Sequence, residues 1–293
     1  MNKRITATIF AILAAALYAI NIPLSKLLIK DVESTVMAGL LYLGAGVGMF
    51  LYTTINSAFG NKIVKEPLTK AELPYTISMV VLDIAAPILL MNGLKITTSA
   101  NATLLNNFEI VATSIIALFI FKEVVSKKLW AAIVLVTVAS VILTFEGAGS
   151  FNFNSGSLMV LGASICWGLE NNCTRMLSHK SSEEIVIIKG VFSGIGALIT
   201  AMILGEQMPQ GIYIFAAMIL GFVSYGLSIN FYIMAQAQLG AAKTSAYYSI
   251  APFLGVAFSL FLLRERPDMQ FYVALGVLVM GTILIVKDTL ETE

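Results

Sequence analysis

Long apolar stretches separated by short polar connections dominate the chain. A bilayer core about 30 Å thick takes about 20 mostly apolar helical residues to cross, because hydrocarbon offers no partner to an unpaired backbone amide. With that window the sequence predicts ten segments, at Ile5–Leu28, Thr35–Ile55, Pro74–Gly93, Thr98–Phe121, Leu129–Phe145, Gly156–Leu177, Glu184–Leu204, Ile212–Ala235, Ala241–Leu263 and Met269–Val286. Even the longest connection, Asn56–Leu73, is too short for a separate domain. The predicted fold is an all-α integral membrane protein with ten transmembrane helices.

Composition agrees with that fold and excludes some partners. Hydrophobic residues make up 58% of the chain and charged residues 12%, whereas globular domains carry about 25% charged residues. The net charge is +1 and the basic residues are spread over many segments, so nucleic acid is not an expected partner. Cys166 and Cys173 lie about 10 Å apart along one helix, too far for a disulfide. No cofactor and no metal site are expected.

The distribution of lysine and arginine predicts the orientation, since cytoplasmic connections carry the excess. With a cytoplasmic N-terminus, the inner side holds 13 basic residues: Lys3, Arg4, Lys62, Lys65, Lys70, Lys122, Lys127, Lys128, Arg175, Lys180, Lys189, Lys243 and Lys287. The outer side holds 5: Lys26, Lys30, Lys95, Arg264 and Arg266. Both termini are therefore expected in the cytoplasm, with the chain in the cell membrane.

The two halves of the chain are related in sequence. A shift of 142 residues needs no gap from Pro74 to Phe145, and a shift of 149 places Tyr18-Ala19 on Trp167-Gly168. The first shift also aligns Ala100 with Ala242, Leu118-Phe119 with Leu260-Phe261, and Lys122-Glu123 with Arg264-Glu265. We expect one five-helix repeat over 1–146 and a second over 147–293. Because five is odd, the repeats must be inverted, an arrangement that suits alternating access with substrate held near the midplane.

Several short motifs resemble a known family. They are Tyr18-Ala19, Trp167-Gly168-Leu-Glu-Asn-Asn, and the Phe-Lys-Glu and Leu-Arg-Glu ends of helices four and nine. With the five-plus-five layout, they are similar to the drug/metabolite transporter superfamily with two EamA domains. The resemblance covers nearly the whole chain. It implies a secondary transporter, often of amino acids, cationic metabolites or toxic compounds, without ATP hydrolysis. Helix four departs from the pattern, with Glu109-Ile110 where helix nine has Ala251-Pro252.

Three carboxylates are expected inside the membrane: Asp83, Glu109 and Glu170. An ionised carboxylate at the bilayer centre costs at least about 2.5–3.5 kcal/mol, so it should face protein or a wet cavity. The helical period places other polar groups on their faces. Helix four presents Thr98, Asn106, Glu109 and Thr113; helix six presents Trp167, Glu170 and Thr174, followed by Asn171 and Asn172; helix one presents Tyr18, Asn21 and Ser25.

The second half has aromatic groups at equivalent positions. Under the same shift Tyr248 replaces Asn106 and Tyr225 replaces Asp83. The expected face is therefore acidic from the first half and aromatic from the second. Lys26, Lys95, Arg175 and Lys189 lie within reach of helix ends, where they are expected to extend to water, leaving the carboxylates without a basic partner at that depth.

Proline and glycine mark expected breaks and close contacts. Pro23, Pro87 and Pro252 are each expected to interrupt a helix near these faces. The pairs Gly44 and Gly48, and Gly190 and Gly194, are expected to let helices approach closely.

Each site feature also has a structural interpretation. A carboxyl group in a membrane can be a protonated hydrogen-bonding group between helices, the Asn171-Asn172 amides can do the same, and Trp167 and Tyr18 can be interfacial anchors. The leading hypothesis is a transporter whose carboxylates bind a small organic cation, a zwitterion or a proton. An exporter of neutral or anionic metabolites such as amino acids is the alternative. A channel is a further alternative. The motifs of an intramembrane enzyme are absent from the sequence, and His179 is its one histidine.

Overall fold

The computed structural model describes residues 3–58, 66, 68–121, 126–145, 154–177, 180–239, 244 and 247–291. Within these ranges the regular elements are helices, and none is a strand. The expected all-helical architecture is confirmed. Lys122, Glu123 and His179, which the sequence singled out, lie outside the described residues.

The helices run in chain order along the whole protein. They are α1 Lys3–Ala19, α2 Asn21–Leu28, α3 Ser34–Ala58, α4 Leu73–Ile96, α5 Ser99–Leu105, α6 Phe108–Phe121, α7 Lys127–Thr144, α8 Ser155–Met176, α9 Ser182–Ile203, α10 Gly211–Gly221, α11 Ser228–Leu239, α12 Ala251–Leu263 and α13 Met269–Glu291. A 3₁₀ turn, Lys70–Glu72, precedes α4, and a π-helical turn, Phe222–Leu227, joins α10 to α11.

Eight helical stretches among the described residues are long and apolar enough to cross a bilayer. They correspond to eight of the ten predicted segments. The sixth predicted segment is α8, which has 22 residues but carries several polar side chains, including Glu170 and Asn172. The ninth contains α12, an apolar helix of 13 residues. The protein therefore passes the membrane several times, and the number of ten crossings stays a prediction.

The helices pair across the two halves of the chain. Packing partners are α1 with α11, α3 with α9, α4 with α8, α5 with α12, and α7 with α13. Where α3 meets α9, Gly39 lies against Leu198 and Gly46 against Gly190, so the two helices run in opposite directions. A Cβ atom on Gly46 would lie 2.5 Å from the Val191 backbone nitrogen. Only glycine permits this approach, and the expected role of the glycine pairs is confirmed.

Two further pairs are also antiparallel. In the α5–α12 pair, Ser99 Oγ lies 2.9 Å from Ser259 Oγ, and Thr103 lies against Gly255. In the α7–α13 pair, Ser126 at the start of α7 bonds to Asp288 near the end of α13. α7 therefore packs against its sequence equivalent in the other half, and α5 packs against α12 from the equivalent predicted segment, both in reverse direction.

Breaks interrupt three of the predicted segments at their centres. The first is at Ile20, between α1 and α2, the second at Asn106-Asn107, between α5 and α6, and the third at Ser249-Ile250, just before α12. The second and third lie within one residue of each other under the shift of 142 residues. Discontinuous membrane helices expose backbone groups near the midplane, which is where transporters bind substrates.

The expectation for Pro87 is wrong. This proline lies inside α4, and the helix continues through it. Proline removes one backbone donor and leaves the carbonyl four residues earlier without its helical partner. That loss is local, whereas α4 packs extensively against α8, and Pro87 itself is buried. The continuous packing keeps the helix intact. Pro23 and Pro252, by contrast, lie within three residues of a break.

Two glutamate side chains cap the N-termini of helices. The Glu265 carboxylate accepts hydrogen bonds of 2.8 Å from the Ser99 and Ala100 amides at the start of α5. The Glu206 carboxylate accepts bonds of 2.9 Å from Thr35 and Val36 at the start of α3. Helix N-termini favour negative charge. The Leu-Arg-Glu sequence at the end of α12 therefore has a structural role, because Glu265 joins α12 to α5.

Candidate functional site

Glu109 lies in the first turn of α6, directly after the Asn106-Asn107 break. It is near the midpoint of the apolar stretch Ser99–Ile120. Its carboxylate accepts a hydrogen bond of 2.6 Å from the Asn171 side chain, which also lies 3.4 Å from Thr113 Oγ1. Among the described residues, no lysine or arginine forms an ion pair with Glu109.

Asp83 and Glu170 share a basic partner, contrary to the sequence-based expectation. Lys189 Nζ lies 3.1 Å from Asp83 Oδ2 and 3.0 Å from Glu170 Oε1. The Asp83 and Glu170 side chains are 0% and 1% exposed, and that of Lys189 is 16% exposed. Lys189 is the eighth residue of α9, about 10 Å along the axis from its start. A lysine at that depth can pair with carboxylates instead of extending to water. The expectation that the three carboxylates lack a basic partner is therefore wrong for Asp83 and Glu170.

Tyr42 and Trp167 extend this cluster. The Tyr42 hydroxyl donates a hydrogen bond of 2.8 Å to Asp83 Oδ1, and Trp167 Nε1 donates one of 3.1 Å to the Tyr42 oxygen. Thr174 donates to Glu170 Oε1 from one turn along α8. Trp167 is 5% exposed, so its indole is packed inside the protein and not at a membrane interface. We call Asp83, Glu170, Lys189, Tyr42, Trp167 and Thr174 the charged cluster.

A second group of side chains consists of tyrosines. The ring of Tyr18 lies 6.2 Å from that of Tyr225 and 5.8 Å from that of Tyr248, centroid to centroid. Tyr232 packs edge-on against Tyr248 at 5.1 Å. The Tyr18 hydroxyl accepts a hydrogen bond of 3.0 Å from the Asn106 side chain. We call Tyr18, Tyr225, Tyr232 and Tyr248 the tyrosine cluster.

The two clusters are in contact. The rings of Tyr42 and Tyr225 are 5.2 Å apart, which joins the charged cluster to the tyrosine cluster. Glu109 adjoins both clusters: Asn171, next to Glu170 on α8, donates to its carboxylate, and Asn106, three residues before Glu109, donates to Tyr18. The structure therefore brings most of the predicted site residues into one region. Asn21 is buried on α2, where it accepts a hydrogen bond of 2.9 Å from Ser25.

Two polar atoms at the break between α5 and α6 lack hydrogen-bond partners in the described structure. They are Asn106 Oδ1 and Asn107 Nδ2, in residues that are 8% and 7% exposed. An unsatisfied buried polar group costs about 1–3 kcal/mol. Such atoms are often partnered by water or a ligand. The break therefore offers one acceptor and one donor beside Glu109.

Sequence reasoning missed Tyr42 and Lys189. Lys189 was counted among the basic residues of the inner side, which leaves 12 against 5 when it is placed in the cluster. Its position within a predicted helix, at a depth similar to Glu170, was the signal that could have found it. Tyr42 had no such signal, because it is one hydroxyl within a long apolar segment. Among the described residues, no group of His, Cys, Asp and Glu is arranged to hold a metal ion.

Known proteins resemble this chain in both sequence and structure. It is 27% identical over 278 residues to an uncharacterized transporter of Methanothermobacter thermautotrophicus, a match that covers 89% of this chain and 78% of that protein. A solved crystal structure shares the fold, with a TM-score of 0.69, 16% identity, and coverage of 97% of this chain and 96% of the other.

The family assignment follows from both halves of the chain. The sequence profile of the EamA-like transporter family matches residues 5–145 and, a second time, residues 154–287. Membership of this family implies a transport function, with a small-molecule substrate and a lipid bilayer as surroundings. The chain belongs to the EamA-like transporter family.

Proposed function

We propose that this protein is a secondary transporter of a small organic cation or a zwitterionic metabolite, and that Glu109 binds the positive charge of the substrate. One observation carries the proposal. The Glu109 carboxylate lies midway along its membrane segment, at a helix break, and its hydrogen-bond partner among the described residues is a neutral amide. An ionised carboxylate in the membrane interior calls for a positive partner, and the substrate supplies it.

The surroundings of Glu109 favour the same class of substrate. Tyr18 accepts a hydrogen bond from Asn106, three residues before Glu109, and its ring lies 5.8 Å from that of Tyr248. Aromatic faces attract organic cations by about 0.5–2 kcal/mol. The unsatisfied oxygen of Asn106 and amide nitrogen of Asn107 add neutral polar contacts for the rest of the molecule. The carboxylate holds the charged group of the substrate. The tyrosines contact its apolar part, and the asparagines contact its polar part.

Transport by alternating access requires the two halves to rock against each other. We propose two inverted five-helix repeats, 1–146 and 147–293, giving ten membrane crossings. The antiparallel packing of α3 with α9 and of α7 with α13 supports inversion, because each pair joins sequence-equivalent helices. Both termini are placed in the cytoplasm and the protein in the cell membrane, from the excess of basic residues on that side.

Protons are the proposed coupling ion. A carboxyl group in the membrane interior either carries a proton or pairs with a cation, so proton and substrate compete for Glu109. The sequence also put Glu170 in this role. Because Glu170 pairs with Lys189 at 3.0 Å, Glu109 is now the leading group. A proton bound on one side of the membrane would then exchange for a substrate bound from the other.

The test is the substitution Glu109→Gln, which keeps the size of the side chain and removes its charge. Binding of butylammonium to the purified protein in detergent is measured by calorimetry between pH 6 and 8.5. We expect Glu109→Gln to abolish both the binding and its pH dependence. The control is Glu33→Gln, the same change at a carboxylate that is 49% exposed and pairs with Lys95. Wild-type affinity and pH dependence in Glu109→Gln would overturn the proposal.

An exporter of neutral or anionic metabolites such as amino acids is the second candidate. The unpartnered amide atoms at the helix break favour it, since they suit uncharged polar groups. A proteoliposome uptake screen over amines, amino acids and nucleobases, with and without a pH gradient, separates the two. Uptake of amino acids alone, unaffected by Glu109→Gln, selects the second candidate. A flux that does not saturate with solute would indicate a channel.

The proposed orientation has its own test. A single cysteine is placed within the connection 59–65, in a variant that lacks Cys166 and Cys173. We expect an impermeant thiol reagent to leave it unlabelled in intact cells and to label it after lysis. A cysteine at Met208→Cys, a position that is 56% exposed between α9 and α10, is expected to show the opposite pattern. Labelling of the 59–65 position in intact cells would reverse the orientation.

A further inference from the structure

Lys189 occupies the space between two buried carboxylates that belong to different halves of the chain. Asp83 reaches it from α4 and Glu170 from α8, at 3.1 and 3.0 Å. Both carboxylates are at most 1% exposed. Substrate therefore has no free access to the oxygens that face Lys189 while the ammonium is in place.

The remaining contacts of the two carboxylates come from uncharged donors. Tyr42 donates to the second oxygen of Asp83, and Thr174 donates to the same Glu170 oxygen that faces Lys189. These groups stabilise negative charge without cancelling it. Among the described residues, Lys189 is the cation that pairs with Asp83 and Glu170, and Glu109 has no such partner. The two carboxylates of the charged cluster are thus paired with an ammonium group of the protein itself, and the Glu109 carboxylate is not.

We infer that Lys189 determines substrate specificity: its ammonium fills a second cation position beside Glu109, so that the site accepts molecules with one positive charge and excludes those with two. The inference rests on the proposed role of Glu109. It follows from the geometry, since the position between Asp83 and Glu170 is built for an ammonium group, and Lys189 supplies that group from within the protein.

The inference predicts a change of specificity when the internal ammonium is removed. Lys189→Met keeps a long side chain and loses the charge. Asp83 and Glu170 then lack a cation, and a second ammonium group of the substrate can take its place. Asn171, the residue that follows Glu170 on α8, donates a hydrogen bond of 2.6 Å to Glu109. Because the two carboxylates therefore flank one turn of α8, we choose a short diamine to reach both positions.

The experiment compares butylammonium with 1,4-diaminobutane, which have the same carbon chain and one or two charges. Affinities are measured by calorimetry in detergent at pH 7.5 and pH 9. In Lys189→Met, we expect the affinity ratio of diamine to monoamine to rise by at least about tenfold, the low end of what a close charge pair contributes to binding. Lys189→Arg is expected to keep the wild-type ratio. The double variant Lys189→Met/Asp83→Asn restores the net charge of the cluster and is expected to lower the ratio again.

The possible outcomes separate this inference from the proposed function. An unchanged ratio in folded Lys189→Met at both pH values, with butylammonium binding still lost in Glu109→Gln, overturns the inference and leaves the function standing. A raised ratio together with butylammonium binding that Glu109→Gln does not affect supports the inference and overturns the role of Glu109. If Lys189→Met does not fold, Lys189→Gln keeps a polar group and answers the same question.

Discussion

The charged cluster and the tyrosine cluster share one pair of positions that the repeat relates, and the two side chains there are stabilised in different ways. Under the shift of 142 residues, Asp83 of the first cluster corresponds to Tyr225 of the second. Asp83 is stabilised by an ion pair with Lys189 and a hydrogen bond from Tyr42. Tyr225 packs against the rings of Tyr18 and Tyr42. The helices repeat, whereas the chemistry of the side chains does not.

This difference has a consequence for alternating access. In an inverted repeat, the two access states arise when the halves exchange their conformations. With identical side chains the two states would have the same free energy. Here Asp83 of the first half is part of a buried ion pair, whereas Tyr225 at the equivalent position of the second half is a neutral ring. We therefore expect the two access states to differ in stability, and the predictions below test each cluster separately.

The largest expected effect is on the stability of the charged cluster. Lys189→Met leaves two buried carboxylates without a cation, and breaking a buried ion pair by removing one partner costs about 3–5 kcal/mol. Unfolding in detergent, followed by circular dichroism, measures this loss. The control Lys95→Met removes a salt bridge to Glu33 in which both side chains are about half exposed, and should cost less than about 1 kcal/mol. Equal losses for both variants would show that the buried network contributes little.

A smaller effect is expected where the two clusters meet. The Tyr42 hydroxyl donates to Asp83 and accepts from Trp167, so Tyr42→Phe leaves two buried groups with one partner fewer. We expect a loss of about 1–3 kcal/mol in the free energy of unfolding. Tyr272→Phe, at a side chain that is 51% exposed, is the matched control. A Tyr42→Phe variant as stable as that control would mean that its hydrogen bonds are replaced by others.

The elements of the fold could be predicted from the sequence because bilayer thickness sets their length. Every apolar segment of that length has a helical counterpart, and α8 and α12 are found even though they are more polar or shorter. The family resemblance read from Tyr18-Ala19, Trp167-Gly168 and the Leu-Arg-Glu end is confirmed by the family match. The inversion of the two repeats was inferred from the odd number of predicted crossings in each, and it stays a prediction.

The sequence identified most residues of the site but not the contacts between them. Asp83, Glu109 and Glu170 were found because a charge inside an apolar segment is conspicuous. That Asp83 and Glu170 share Lys189 could not be predicted, since the three residues lie on α4, α8 and α9 and meet only when those helices pack. The continuity of α4 through Pro87 is another tertiary effect, because packing against α8 outweighs one lost hydrogen bond.

The smallest expected effect concerns the tyrosine cluster and substrate binding. Tyr248 lies between Tyr18 and Tyr232, at 5.8 and 5.1 Å. Tyr18 in turn accepts a hydrogen bond from Asn106, three residues before Glu109. An organic cation over its ring gains about 0.5–2 kcal/mol, which corresponds to an affinity about twofold to thirtyfold higher. We therefore expect Tyr248→Leu to weaken butylammonium binding by a factor in that range.

Two comparisons show whether the ring or the hydroxyl is responsible. Tyr248→Phe keeps the aromatic face and should retain affinity within about twofold of wild type, since the ring carries most of a cation–π interaction. Tyr213→Leu, a change of the same kind on α10, should not alter binding. Calorimetry in detergent at one pH measures all three variants. If Tyr248→Phe is as weak as Tyr248→Leu, the hydroxyl makes the contact. If all three bind like wild type, the tyrosine cluster packs the protein interior, and recognition of the cation rests on Glu109 and the asparagines at the helix break.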